Sequence, residues 1–219
     1  MVVLTRDLFD AIEFDAACSG DHRAAAEQMS DLAAAGTQTA DLPRSEAYLR
    51  AGEQWLLADD PAAAARRFRR ALEDGGPAFV DPRVPLARAL YMMDKPAEGD
   101  ALVRQLESEQ PQDPRMCDLV AELLVERSDL EGALRWATRG VELCVGQAPG
   151  GGPEPSSARN SPPLVSDVAG PQGLAGAADQ NELRLLLSLR YRIRNDLGMP
   201  EDGYDRLLDE LPSASAGDG

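Results

Sequence analysis

His22 is the only histidine in the chain and Lys95 the only lysine, so a histidine metal cage or a histidine acid–base pair is excluded by count alone. His22 falls in the first turn of a helical pattern and reads as an exposed structural residue. Lys95 precedes Pro96 in a turn, a poor setting for a desolvated nucleophile. Cys18, Cys117 and Cys144 are odd in number and lack CxxC spacing, which suits small side chains in a reducing cytoplasm better than disulfides or zinc. There is no HExxH, no GxSxG and no glycine loop ending in Lys-Ser or Lys-Thr; "PGGGPEP" is boxed in by prolines. The 38 carboxylates offer acid–base pairs everywhere and so single out none. The expectation is a protein that is not an enzyme and uses no cofactor and no metal.

What remains is recognition through charge and shape. A net charge of −16 opposes phosphate-rich partners, so neither nucleic acid nor an acidic membrane surface is expected. It favours another protein or peptide of basic or amphipathic character. The opening "MVVLTRDLFDAI" lacks the basic start and apolar run of a signal peptide, and no stretch reaches 18 apolar residues. A cytoplasmic location is the expectation. The 21 arginines against one lysine reflect the codon bias of a high-GC genome rather than a mechanism.

The elements that would present such a surface are helices. In "DDPAAAARRFRRAL", residues 59–72, Asp60 can cap, Pro61 suits the first turn, and Ala64, Phe68, Ala71 and Leu72 form one apolar stripe. Arg66, Arg67, Arg69 and Arg70 fall off the stripe and read as the solvated outer face. The preceding "RSEAYLRAGEQWLLA" is a second amphipathic helix, with Tyr48, Ala51, Gly52 and Trp55 along one side.

The spacing recurs. Gly52, Ala87 and Ala121 stand 35 and 34 residues apart, and Ala64, Gly99 and Ala133 follow the same steps. "KPAEGDALVRQLESE" and "SDLEGALRWATRGVEL" are the corresponding second helices, the latter with Ser128 and Glu131 in capping-box spacing. Upstream, "SGDHRAAAEQMSDLAAAG" has the same shape, although Glu13 occupies the place held elsewhere by Gly or Ala. Aromatic-x2-Ala-Gly-x2-aromatic, followed by Ala64-x3-Phe68-x2-Ala71 and Pro77, resembles the tetratricopeptide repeat (TPR) pattern.

The fold class predicted is all-α: an α-solenoid of antiparallel helix hairpins over residues 1–145. It comprises a degenerate repeat at 6–39 and repeats at 45–78, 80–113 and 114–147. Residues 146–179 hold 13 Gly or Pro and read as a flexible linker. A C-terminal helical segment, 180–211, should cap the array, with a disordered tail at 212–219. On its helix Arg190 and Arg194 fall inside the apolar arc of Leu183, Leu186, Leu187, Ile193 and Leu197. There they need carboxylate partners or a route to water. They are also candidate regulatory residues, if this helix lies in the array's groove and gates it.

The resemblance implies that the first helix of each repeat lines a concave groove holding a peptide. Matching positions are Asp10 and Phe14; Glu46, Leu49, Glu53 and Leu56; Val84, Arg88 and Tyr91; and Arg115, Asp118, Glu122 and Val125. Leu49 and Glu53 stand where a lysine and an asparagine would clamp a terminal carboxylate, so that clamp is absent. The reading is an interaction scaffold or adaptor. Its alternatives are a regulatory or co-chaperone-like module gated by the C-terminal helix, and a self-associating array forming a homo-oligomer.

Overall fold

The computed structural model describes residues 3–39, 41–146 and 177–211, with side chains of the last stretch described from 180. Most of the expected linker, residues 147–176, and the expected tail, 212–219, lie outside the described residues. The fold is all-α, with no strand element among the described residues, and its helices pack as consecutive pairs in the manner of a TPR-like α-solenoid. The chain divides into two compact units, Met1–Gln110 and Pro111–Gly219.

The first unit contains three hairpins: α1 (Arg6–Ser19) with α2 (His22–Ala35), α3 (Arg44–Leu57) with α4 (Pro61–Asp74), and α5 (Arg83–Met92) with α6 (Pro96–Glu109). The second contains α7 (Pro114–Glu126) with α8 (Leu130–Cys144), then α9 (Ala177–Asp196) and the short α10 (Gly203–Glu210).

The repeat is written into the turns. Gly20, Asp59, Asp94 and Ser128, the hinge residues of the four hairpins, all adopt left-handed backbone with φ of 78°, 56°, 57° and 61°. Three of these hinges share one hydrogen bond: Asp60, Lys95 and Asp129 each donate a backbone N–H to the carbonyl five residues earlier, at 2.9 Å. That bond satisfies one of the carbonyls orphaned at the end of the first helix. Asp21, Asp60 and Asp129 then cap the second helix with their side chains. Only in the second hairpin are hinge and cap both acids, Asp59 and Asp60; Asp94 is the hinge of the third, whose second helix has no side-chain cap.

Packing is carried by small residues, as an alanine-rich composition requires. Ala26, Ala63, Ala64, Ala65 and Ala89 surround Phe68, Trp55, Leu86 and Leu90 in one core cluster of the first unit. A second gathers Leu4, Phe9, Ile12, Met29 and Leu42 around Ala16, Ala25, Ala33, Ala47 and Ala51. Ser30 of α2 is buried between hairpins and accepts from Trp55 Nε1 at 3.0 Å and Arg67 Nε at 2.8 Å. Arg66, Arg69 and Arg70 are exposed as expected, and Arg67 is half-buried. Leu72 corrects the predicted stripe: it stands 36% exposed, while Ala63 and Ala65 are buried in the contact instead. His22 is half-buried rather than exposed; its Nδ1 donates to Gln54 Oε1 at 2.9 Å.

In the second unit α9 packs against α8 and also touches α7. Leu183, Leu186 and Leu187 join Val141, Leu207 and Leu211 in its core. Gly140 admits Leu186: a methyl built on it would stand 2.6 Å from Leu186 Cδ2.

Candidate protein-binding faces

The first-helix faces of the two units are described separately. On the first unit, Arg50 of α3 reaches across to α1, with Nε and Nη2 on the two oxygens of Glu13 at 2.8 and 2.6 Å and Nη2 on Asp10 at 2.5 Å. Its guanidinium also lies 5.6 Å from the centroid of Phe9. Burial works against the charge of Arg50, and the bonds from Glu13 and Asp10 more than offset it, so its pKa is raised. Glu13, out of pattern in the sequence because Gly or Ala fills that place in later repeats, is thus the acceptor of a side-on arginine fork.

Glu46 begins the same face. Its Oε2 accepts the backbone N–H of Phe79 at 2.7 Å, while Ser45 Oγ donates to the Pro77 carbonyl at 2.6 Å. The α4–α5 loop is pinned to the start of α3 by these two bonds, with the Phe79 ring 67% exposed. Glu53, two turns along, makes neither a hydrogen bond nor an ion pair among the described residues and stands exposed at the surface. Desolvation by the protein around it, followed by the charges of Glu13 and Glu46, pushes its carboxyl up to about 7 against the pull of Arg50 and Arg88.

Two predicted groove residues are corrected. Leu49 is 2% exposed and Val84 4%, so both are core and cannot line an open face. The reason is that α3 and α5 each pack against a helix on two sides. That widens their buried arc beyond a single stripe; on α3 it takes in Ser45, Ala47, Leu49, Arg50, Ala51, Gly52, Gln54 and Trp55. Tyr91 is also turned inward. Its ring covers Gly99, 2.5 Å from a methyl built there, and its hydroxyl donates to Asp100 at 2.9 Å. Asp10 is exposed but engaged by Arg50. Phe14 is 68% exposed, and Leu56 and Arg88 are half-buried.

On the second unit, Asp118 is half-buried, Glu122 is exposed one turn on, and Val125 is half-buried beyond it. Burial first, then Glu122 and Glu182, push the Asp118 carboxyl up to about 6. Glu182 comes from α9 and was not foreseen, because nothing in the sequence says that α9 lies beside α7. Its Oε1 is buried without a hydrogen bond. Burial raises its pKa too, with Arg115 opposing and Asp113 assisting.

Arg190 and Arg194 are 4% and 7% exposed, and the carboxylates they require are Asp202 and Asp205. Arg190 meets Asp202 at 2.5 Å and Asp205 at 3.3 Å; Arg194 meets them at 3.1 and 3.2 Å. Arg190 Nε donates to Thr138 Oγ1 of α8 at 3.1 Å, and its guanidinium stacks 4.9 Å from the Tyr204 ring centroid. Arg194 donates to the Pro200 carbonyl. Asp202 is the N-cap of α10, in a capping box with Asp205, so the two arginines hold the start of one helix against another.

Cys117, Cys144 and Cys18 are not joined in disulfides; burial pushes Cys117 up to about 12, which keeps it a thiol. Among the described residues no group of three or more His, Cys, Asp or Glu is placed to hold a metal ion, and no helix is long and apolar enough to cross a membrane.

Residues 56–123 match the family model described as tetratricopeptide repeat. No curated protein matches the chain. No solved structure matches it.

Proposed function

Starting from the tetratricopeptide-repeat match over residues 56–123, we propose that the chain is a non-enzymatic scaffold or adaptor that binds a basic or amphipathic protein segment on its first-helix faces. Such repeats generally mediate contacts between proteins and are typically not catalytic. The observation that carries the basic character is Glu53: an exposed carboxylate without a bonded partner, set among Glu13 and Glu46. A cationic side chain arriving there offsets the desolvation of the carboxyl first, and then the repulsion from Glu13 and Glu46 that Arg50 and Arg88 only partly counter. Phe14 and Phe79, both widely exposed, supply apolar surface for an amphipathic guest.

The test uses a fluorescein-labelled peptide of alternating arginine and leucine, with a glutamate–leucine peptide as control. Glu53→Lys and Glu122→Lys should each weaken the arginine peptide about tenfold, and added salt should weaken it further. Equal binding of the two peptides to the unaltered chain would refute a basic guest.

The C-terminal helix is read as a cap rather than a gate. What supports this is the burial of Arg190 and Arg194 against Asp202, Asp205 and Thr138, which leaves neither guanidinium available to an acidic groove. Removing residues 180–219 should therefore unfold or aggregate the second unit. A folded truncated chain that binds the arginine peptide more tightly would restore the gating alternative.

A further inference from the structure

Each first helix of the first unit carries one large apolar side chain open to solvent. Phe14 of α1 is 68% exposed, Leu57 of α3 60% and Met92 of α5 48%. The repeat fixes their register. The 39-residue step from Ala25 to Ala64 carries Phe14 onto Glu53 and Cys18 onto Leu57. The 35-residue step from Gly52 to Ala87 carries Leu57 onto Met92. Cys18, Leu57 and Met92 therefore mark one level of the three helices, with Phe14 and Glu53 one turn earlier. A further step of 34 residues reaches Glu126, so the apolar row ends with the third hairpin.

The side chains agree with this order. Arg50 of α3 holds Glu13 of α1, the residue beside Phe14. The charges acting on Glu53 come from both neighbours, Glu13 of α1 and Arg88 of α5. Exposed apolar residues are ordinary singly. Here one stands on each of three consecutive first helices, with the exposed carboxylate of Glu53 one turn from the middle one.

Spacing selects the guest. Packed helices stand about 8–10 Å apart, so the row offers one apolar side chain at about that interval. An extended strand shows one face every second residue, at about 6.6 or 13 Å, and misses the interval. An α-helix rises about 10.5 Å in seven residues, close to two turns, and returns the same face at each step.

Resting on the reading of the first-helix faces given above, we propose that Phe14, Leu57 and Met92 seat an amphipathic α-helix of the partner protein. It lies across α1, α3 and α5 with apolar residues at i, i+7 and i+14, and an arginine or lysine beside the middle one meets Glu53. A guest helix with acidic flanks would face Glu53 and its neighbours Glu13 and Glu46, and is rejected. A net charge of −16 likewise sets two copies of this chain against each other.

The experiment uses the full 219-residue chain and fluorescein-labelled 21-residue peptides, read by anisotropy. The probe carries three leucines seven residues apart, arginine on both flanks of the middle one, and alanine or glutamine elsewhere. One control sets the leucines six residues apart, which turns them to three different faces of a helix. Another replaces two central alanines by proline, which breaks the helix. The probe should bind at least tenfold more tightly than either control. Leu57→Gln and Met92→Gln should each weaken it about fivefold. Leu185→Gln, at an exposed leucine of α9, should leave it unchanged. All three positions are exposed, so the helical circular dichroism signal should persist in every variant. A proline peptide that binds as well as the probe would mean an extended guest and overturn the helix. A dimer seen by sedimentation and dispersed by Leu57→Gln would give the row to a second copy instead. If Glu53→Lys weakens the probe but Leu57→Gln and Met92→Gln do not, the row is wrong and the basic-guest reading survives. If none of the three weakens it, both are wrong.

Discussion

Gly52 of α3 faces the ring of Phe68 of α4 so closely that a methyl built on Gly52 would overlap Cε1 and lie 2.7 Å from Cδ1. Phe68 is fully buried in a cluster with Ala63, Ala64, Ala65 and Leu90, so the ring has no direction in which to yield. This contact sets the distance between the two helices of the hairpin, and through it the stacking of α5 on α4.

Gly52→Ala separates two opposing effects. Alanine is the better helix former by about 1 kcal/mol, while an added methyl in a filled core costs about 1–3 kcal/mol. The clash should win, with a net loss of about 1–2 kcal/mol measured by urea denaturation. A variant more stable than the parent would show that the hairpin can open to accept the methyl.

Arg190→Ala should destabilise the second unit by about 2–4 kcal/mol, because it leaves Asp202 and Asp205 with Arg194 alone in a largely buried site. The same substitution should flatten the acid limb of stability. Desolvation raises the Asp202 pKa, but the Arg190 hydrogen bond and charge more than offset this and hold it below the ordinary value. A depressed carboxyl contributes stability that is present above its unfolded pKa, about 3.9, and lost as pH falls through the lower folded value. Thermal midpoints between pH 2 and pH 5 should therefore fall more steeply in the parent than in the variant.

Arg50→Lys should cost about 1–2 kcal/mol despite conserving charge. Lysine cannot span both oxygens of Glu13 while also reaching Asp10, and it loses the flat stacking over Phe9. The loss should appear as earlier hydrogen exchange of α1 amides, since Arg50 is an α3 side chain holding α1.

The helix pairs were legible because the small residues at Gly52 and Ala64 recur in kind at 34–35 residues, as Ala87 and Ala121 and as Gly99 and Ala133, and only small residues permit that helix approach. The binding faces were less so. Leu49 and Val84 occupy groove positions by register, yet neighbouring helices on two sides bury them. Glu13 departed from the pattern without revealing that Arg50 was its partner, 37 residues away. Glu182 carried no signal at all: its meaning depends on α9 lying beside α7, across residues outside those described. Arg190 and Arg194 announced their need for carboxylates through the helical wheel, but not which acids would answer it.

Glu53→Gln should remove a penalty that grows with pH. With its carboxyl pushed up to about 7, the folded chain holds a proton there that the unfolded chain releases near its ordinary pKa of 4.5. In that window the native state binds more protons, so stability falls as pH rises from 4.5 towards 7, and the full penalty persists above 7. Glutamine should leave stability unchanged at pH 4 and raise it at pH 8. Because Glu53 is exposed, solvent screening keeps the gain small, under about 1 kcal/mol or roughly 1–3 °C in the unfolding midpoint. Part of the size depends on Glu13 and Glu46, which add to the larger effect of desolvation: in a Glu13→Gln background, which also weakens the Arg50 fork, the gain from Glu53→Gln should shrink. Parallel melts of the four proteins at pH 4 and pH 8 would show it, and an undiminished gain would mean that burial alone raises the Glu53 carboxyl.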